Sequence, residues 1–212
     1  MLGAIACLAP SIRARVVLIS DSSTDRTLQI ATEILGSEGT VLSTKAGTVG
    51  TARALAVSHV IGTTRSPLHR LWLANTDADC IIPSRWLVDQ LELAEAGIEA
   101  IAGIVTVDSF EEHDPEVPAR FNATYIVNAD GSHPHIHGAN MGIRADRYVH
   151  AGGWADLKTA EDHDIWRRLA ETGAKLHSAA HIHVATSGRR TGRAPNGFAG
   201  ALAAHNSARL TA

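Results

Sequence analysis

The sequence predicts a single α/β domain with a mostly parallel central sheet and helices on both faces. Three observations carry that expectation. Short runs such as Arg15-Val-Val-Leu-Ile-Ser20, Leu71-Trp-Leu-Ala74 and Glu99-Ala-Ile-Ala-Gly-Ile-Val-Thr-Val107 alternate with helical patterns, the order that builds βαβ units. The runs are continuously apolar, which suits strands buried on both faces of a parallel sheet. With 212 residues, 45% of them hydrophobic, the chain is long enough for one well-buried domain and too short for a second full one.

Composition narrows the class of partner. A formal net charge of -3 and a pI near 6.4 give no electrostatic footprint for nucleic acid. Only Arg189, Arg190 and Arg193 form a basic cluster. Cys7 and Cys80 are too few for a disulfide framework and lack metal spacing, so a reducing compartment is the default. No apolar run approaches the roughly 20 residues of a membrane span. Met1 to Pro10 lacks the basic start and the length of a signal peptide. The chain reads as soluble and cytoplasmic, with peripheral membrane association and homo-oligomerisation left open.

Taken in order, Met1 to Leu8 resembles the tail of a helix, and the first clear strand is Arg15 to Ser20. Asp21-Ser-Ser-Thr-Asp25-Arg-Thr27 follows directly and opens a helix carrying Leu28, Ile30, Ala31, Ile34 and Leu35. Ser23 or Thr24 can cap that helix, and Asp21 sits at the strand end with a carboxylate able to accept from an N–H donor such as a nucleobase imide. Thr40 to Thr44 is a second strand. Lys45-Ala-Gly47-Thr-Val-Gly50-Thr-Ala-Arg53 then turns into a helix to about Ile61, its glycines permitting close approach and Arg53 able to reach a phosphate or base.

The strand from Leu71 ends in Asp77-Ala-Asp79. Ligands of open α/β sheets bind at this edge, and two hard oxygen donors suit a divalent cation and the phosphates it neutralises; the plainer reading is a turn before the helix at Pro83. That helix runs through Ala96. After the strand at Glu99 to Val107 the pattern loosens: an acidic loop from Asp108 to Glu116, a helix across Val117 to Ala129, then His133, His135 and His137 alternating. On an extended chain these rings would face one way and could bind a metal. His181 and His183 share that spacing, and His183 is a candidate to complete a shell begun by the two aspartates. Gly152-Gly153-Trp154 gives a tight turn and a large aromatic face, fit either for packing an acceptor or for plugging the core. Ala160-Glu161-Asp162-His163-Asp164 opens a helix whose first-turn acids favour its dipole and also offer a general base.

The Asp21 turn, the Arg53 helix after Gly50, Asp77-Ala-Asp79, Gly138-Ala-Asn140-Met-Gly-Ile-Arg144, Gly152-Gly153-Trp154 and Glu161-Asp162-His163-Asp164, in this order, resemble glycosyltransferase family 2 over roughly Val16 to Gly173. The resemblance implies a GT-A fold, a Rossmann-like sandwich, with a nucleotide-diphosphate sugar as donor and Mg2+ or Mn2+ as cofactor. It implies that Asp21 contacts the base and Arg53 the nucleotide. Asp79 would be the direct metal ligand, with Asp77 nearer the ribose or a metal-bound water, and Asp162 the base that deprotonates an acceptor hydroxyl in an inverting reaction. Trp154 and Glu161 fall on the acceptor side. Arg189, with Arg190 and Arg193, falls where relatives carry a mobile basic segment able to clamp the diphosphate.

The same resemblance divides the chain into a nucleotide-binding part of about 1–107, an acceptor and catalytic part of about 108–187 and a flexible basic tail of about 188–212. It also implies a strand ahead of Val16 that has no counterpart here, which leaves a sheet edge and one side of the nucleotide pocket open. The acceptor, whether saccharide, lipid or small molecule, is not specified. Two alternatives stay open: a degenerate glycosyltransferase-like binding protein without turnover, and a retaining transferase or nucleotidyltransferase on the same fold.

Overall fold

The computed structural model describes residues 1–192 and 197–207, so the expectation for Arg193 lies outside the described residues. In chain order the elements are α1 (Leu2–Ala6), β1 (Val16–Asp21), α2 (Thr27–Leu35), β2 (Gly39–Thr44), α3 (Val49–Thr63), β3 (Trp72–Asn75), α4 (Trp86–Glu95), β4 (Ala100–Val107), α5 (Val117–Thr124), β5 (Met141–Arg144), α6 (Ala145–His150), α7 (Glu161–Glu171), β6 (Leu176–Thr186) and α8 (Phe198–Ser207). Four strands form one sheet in the order β3-β5-β4-β6. β5 is antiparallel to β3 and β4, and β4 is parallel to β6, so β5 alone is reversed.

β1 and β2 make a separate parallel pair, in register from Val16 with Gly39 to Asp21 with Thr44. Among the described residues β1 has no strand on its other edge. Helix α3 nevertheless covers both sheets: it packs on β1, and its Val57 shares a core cluster with Leu73 of β3. The apolar run Val16 to Ile19 stays half-buried where a strand paired on both sides would be sealed.

The main core lies between the four-stranded sheet and α7, where Met141, Ile143, Ile165 and Leu169 are fully buried. A second cluster under α4 joins Trp86 to Ile101, Val105, Ile182 and Val184. Between them sits a polar residue. Asn140 is 1% exposed; its Nδ2 donates to the carbonyls of Ile104 and Ile182 at 2.8 and 2.9 Å, and its Oδ1 accepts from Trp86 Nε1 at 2.9 Å. These carbonyls flank a register shift between Gly103 and Ile104, where the β4–β6 ladder slips. A Cβ at Gly103 would lie 2.2 Å from Asn140 Nδ2, so glycine is required there. Asn140→Ala strands two carbonyls and an indole N–H in a dry interior, and is expected to cost about 2–4 kcal/mol in urea unfolding. A loss below about 1 kcal/mol would contradict this role.

Three expectations shift. The helix expected from Pro83 begins at Trp86. The one expected across Val117 to Ala129 stops at Thr124, and the next residue, Tyr125, leaves the helix with its ring stacked on His135. The stretch read as a flexible tail carries α8, whose Phe198 and buried Leu202 pack against Val117 and Phe121 of α5. No helix of the described residues is long and apolar enough to cross a membrane.

Candidate active site

The site forms where β3, α3 and α7 converge at the end of the four-stranded sheet. After Asn75 the chain leaves the ladder, and Cys80 N–H closes a turn on the Asp77 carbonyl at 3.1 Å. The turn is tied to β6 by a paired bridge: Ile81 N–H donates to Ala185 at 2.7 Å, and Ala185 N–H returns to Ile81 at 2.9 Å. The Asp-x-Asp turn and the segment after β6 therefore come together, and Arg189 sets its guanidinium 2.7 Å from Asp79.

Asp77 is held by the other arginine. Arg53 reaches Asp77 at 2.6 Å and Glu161 at 2.5 Å, with the side chains of Arg53 and Glu161 only 12% and 11% exposed. Burial alone would weaken its hold on a proton, but Asp77 and Glu161 outweigh that and raise its pKa above the usual guanidinium value. Its guanidinium lies over Trp154, 5.1 Å from the ring centroid, and Trp154 itself is 6% exposed within the main core. The indole thus backs Arg53. A Cβ at Gly138 would fall 2.2 Å from Arg53 Nη1, and one at Gly50 would fall 2.0 Å from the Ala155 carbonyl. Both glycines are needed for protein–protein approach: Gly138 makes room for Arg53, and Gly50 lets α3 close on the loop before α7.

Arg53→Met removes the counter-charge of the buried Glu161. It is expected to destabilise the fold by about 3 kcal/mol, and Glu161→Gln in the same chain should recover most of that. Chemical denaturation of the unmodified protein, Arg53→Met and the double variant measures it.

Asp162 follows Glu161 at the start of α7. Its Oδ2 accepts Gly138 N–H at 3.0 Å and its Oδ1 accepts His163 N–H at 2.9 Å. Ala160 just before is left-handed, with φ 60, a conformation disfavoured for a residue with a Cβ and one that concentrates at functional sites. The carboxylate is therefore fixed by two backbone donors beside the Arg53 cluster. Gly138 was legible in sequence only as part of a motif; its contact with Asp162 was not.

Asp21 and His183 lie apart from this cluster in the described contacts. Asp21 accepts Ala46 N–H at 2.8 Å and Gly47 N–H at 3.2 Å, pinning the β2–α3 turn. His183 is exposed on β6, its Nδ1 3.3 Å from the carbonyl of His181. Among the described residues no group of three or more His, Cys, Asp or Glu is placed to hold a metal, neither around His183 nor in the His133, His135, His137 series. The donor chemistry of the Asp pair still fits a hard cation: Asp77 and Asp79 each hold a cationic group at 2.6–2.7 Å. Two carboxylates are the partial set that Mg2+ uses when substrate phosphates and water supply the rest.

Paired carboxylates and arginines, with a further acid fixed at a helix start, lie at the sheet edge where ligands of open α/β sheets bind. The chain belongs to glycosyl transferase family 2, whose family model matches residues 6–149. Its fold is that of GT-A glycosyltransferases. It is similar to the mannosyltransferase PcManGT of Pyrobaculum calidifontis, solved in complex with GDP-Man and Mn2+, at 17% identity and a TM-score of 0.63 over 84% of this chain and 49% of that one. It is similar also to S. aureus TarS 1-349, at 19% identity and a TM-score of 0.57 over 88% and 55%. The chain thus spans about half the length of these structures. No curated protein matches it.

Proposed function

We propose that the chain transfers a sugar from a nucleotide-diphosphate sugar to an acceptor hydroxyl, with inversion and with Asp162 as the base. The observation that carries this reading is the convergence of Asp77, Arg53, Glu161 and Asp162 at one sheet edge, with Asp79 and Arg189 adjoining. In the transfer the acceptor oxygen attacks the anomeric carbon as the bond to the diphosphate oxygen breaks. Asp162 takes the hydroxyl proton, and the diphosphate departs with the bonding pair. Asp162 is suited to this because Gly138 and His163 N–H groups hold the carboxylate in one orientation.

Asp79, with Asp77 beside it, would hold Mg2+ or Mn2+, which supplies charge neutralisation for the departing diphosphate. The mannosyltransferase of the same fold, solved with GDP-Man and Mn2+, supports this choice of donor class and metal. Arg189 and Arg53 now satisfy the two carboxylates, and the more exposed Arg189 can turn toward phosphate oxygens once the cation takes over, while Arg53 stays held by Glu161. Asp21 lines the base end of the pocket. Trp154 acts on the acceptor side through Arg53 and Glu161.

Screening nucleotide sugars by thermal shift tests the reading. One of them is expected to raise the melting temperature with Mn2+ and not with EDTA; no shift with any donor would overturn it.

A further inference from the structure

Beside Asp162 lies a ring stack that the reaction above does not use. Tyr125 and His135 are stacked at 3.8 Å between centroids and 7° between planes, and His137 lies 6.0 Å from Tyr125 at 6°. The hydrogen bonds through this stack fix a tautomer. Val105 N–H donates to Tyr125 Oη at 2.9 Å, and Tyr125 Oη lies 2.9 Å from His137 Nε2. A phenol oxygen has one proton to give. With Val105 as donor to it, that proton goes to His137 Nε2. The reverse arrangement would make Oη accept twice and leave its own proton without an acceptor among the described contacts of Tyr125.

His137 Nδ1 must then carry the ring proton. No hydrogen bond among the described residues uses Nδ1, and it is not among the sealed, unpartnered polar atoms, so it is left to pair with a bound molecule. The ring lies near the base: the Asp162 carboxylate acts on it electrostatically, and the following residue, Gly138, donates its N–H to that carboxylate. The ring is also neutral. Burial pushes its pKa down to about 4 against the pull of Asp162, with His135, His163 and His133 adding to the fall. Burial likewise pushes Tyr125 up to about 12, so the phenol keeps its proton.

We propose that His137 is an acceptor-positioning residue: Val105 and Tyr125 lock it as a neutral Nδ1–H donor that holds an oxygen of the acceptor beside the Asp162 carboxylate. This rests on the reading of Asp162 as the base. The ligand class is a neutral polyhydroxyl or carbonyl-bearing acceptor, since a neutral donor gives direction without attracting an anion. A locked tautomer keeps the donor from turning into a second acceptor that would compete for the hydroxyl proton.

Nitrogen and Cδ2 NMR shifts of His137 in the free protein at pH 7 test the lock directly. The Nδ1–H tautomer is expected in the wild type, and a tautomer mixture in Tyr125→Phe. In transfer assays Tyr125→Phe and His137→Phe should raise the acceptor KM about tenfold, the worth of one hydrogen bond, with donor KM unchanged. His137→Asn, which keeps an N–H near the Nδ1 position, should restore it to within about threefold. An Nε2–H or charged ring in the wild type overturns the inference even where transfer is measured. An Nδ1–H ring in a protein that transfers nothing to any acceptor overturns the functional reading and the acceptor role together.

Discussion

Asp79→Ala is expected to abolish the metal dependence of nucleotide binding, weakening Mn2+ affinity by at least about 100-fold, the upper range for losing even an indirect metal contact. The size follows from the donor count. Asp77 is committed to Arg53 at 2.6 Å, and Arg53 is fixed from the other side by Glu161, so Asp77 alone is a partly spent ligand. Asp79 is paired instead with the more exposed Arg189, and exposed ion pairs are worth little, on the order of 0–1 kcal/mol. A divalent cation would therefore displace Arg189 more readily than Arg53, and Asp79 would be its principal ligand. The substitution should leave stability nearly unchanged while removing Mn2+-dependent nucleotide binding in calorimetry. Retention of Mn2+-dependent affinity in the variant would show that the cation sits elsewhere.

Asp162→Asn is expected to lower turnover by about 1000-fold, within the range contributed by a positioned general base, while donor affinity stays within about twofold. Asparagine keeps the volume and can still accept Gly138 N–H through its carbonyl, so the tie to the 138 turn is preserved, while the His163 N–H at the start of α7 loses its side-chain acceptor. What it loses is the capacity to take a proton. Steady-state rates with saturating donor, beside donor binding measured separately, distinguish loss of chemistry from loss of the site. A fall in donor affinity that accounts for the rate would assign Asp162 to binding.

The parts of the site that sequence made legible are those encoded within one turn of chain. Asp77 and Asp79 end an apolar run. Glu161 and Asp162 open an amphipathic helix, and Asp21, apart from that cluster, ends the first strand. Each is a local pattern, and each appears where the pattern places it. What sequence left hidden depends on contacts between distant segments. The pairing of Asp79 with Arg189 follows from the Ile81–Ala185 bridge, and the Gly138–Asp162 contact from the packing of α7 against the 138 turn. Asn140 was visible as a motif letter, but its work in the Gly103 bulge needs β4, β6 and Trp86 assembled.

Two expectations rested on residue type and met tertiary override. Alternating histidines suit a metal site as well as a stack. The stack forms because Tyr125 offers both a ring face to His135 and a hydroxyl to His137. Trp154 suits an open acceptor face as well as a core plug, and it is buried because Arg53 needs a flat apolar backing once two carboxylates hold it. The end of the chain was read from its arginines, whereas Phe198 and Leu202 decide its packing.

In the proposed function Asp77, Asp79, Arg53 and Arg189 together form the site for a cation-bound diphosphate. Calorimetric titration of the unmodified protein with a panel of nucleoside diphosphates, in Mn2+ and again in EDTA, tests it most directly. Saturable binding of at least one diphosphate that disappears in EDTA is the predicted result. No binding of any nucleoside diphosphate in Mn2+, or equal affinity in Mn2+ and EDTA, would contradict it.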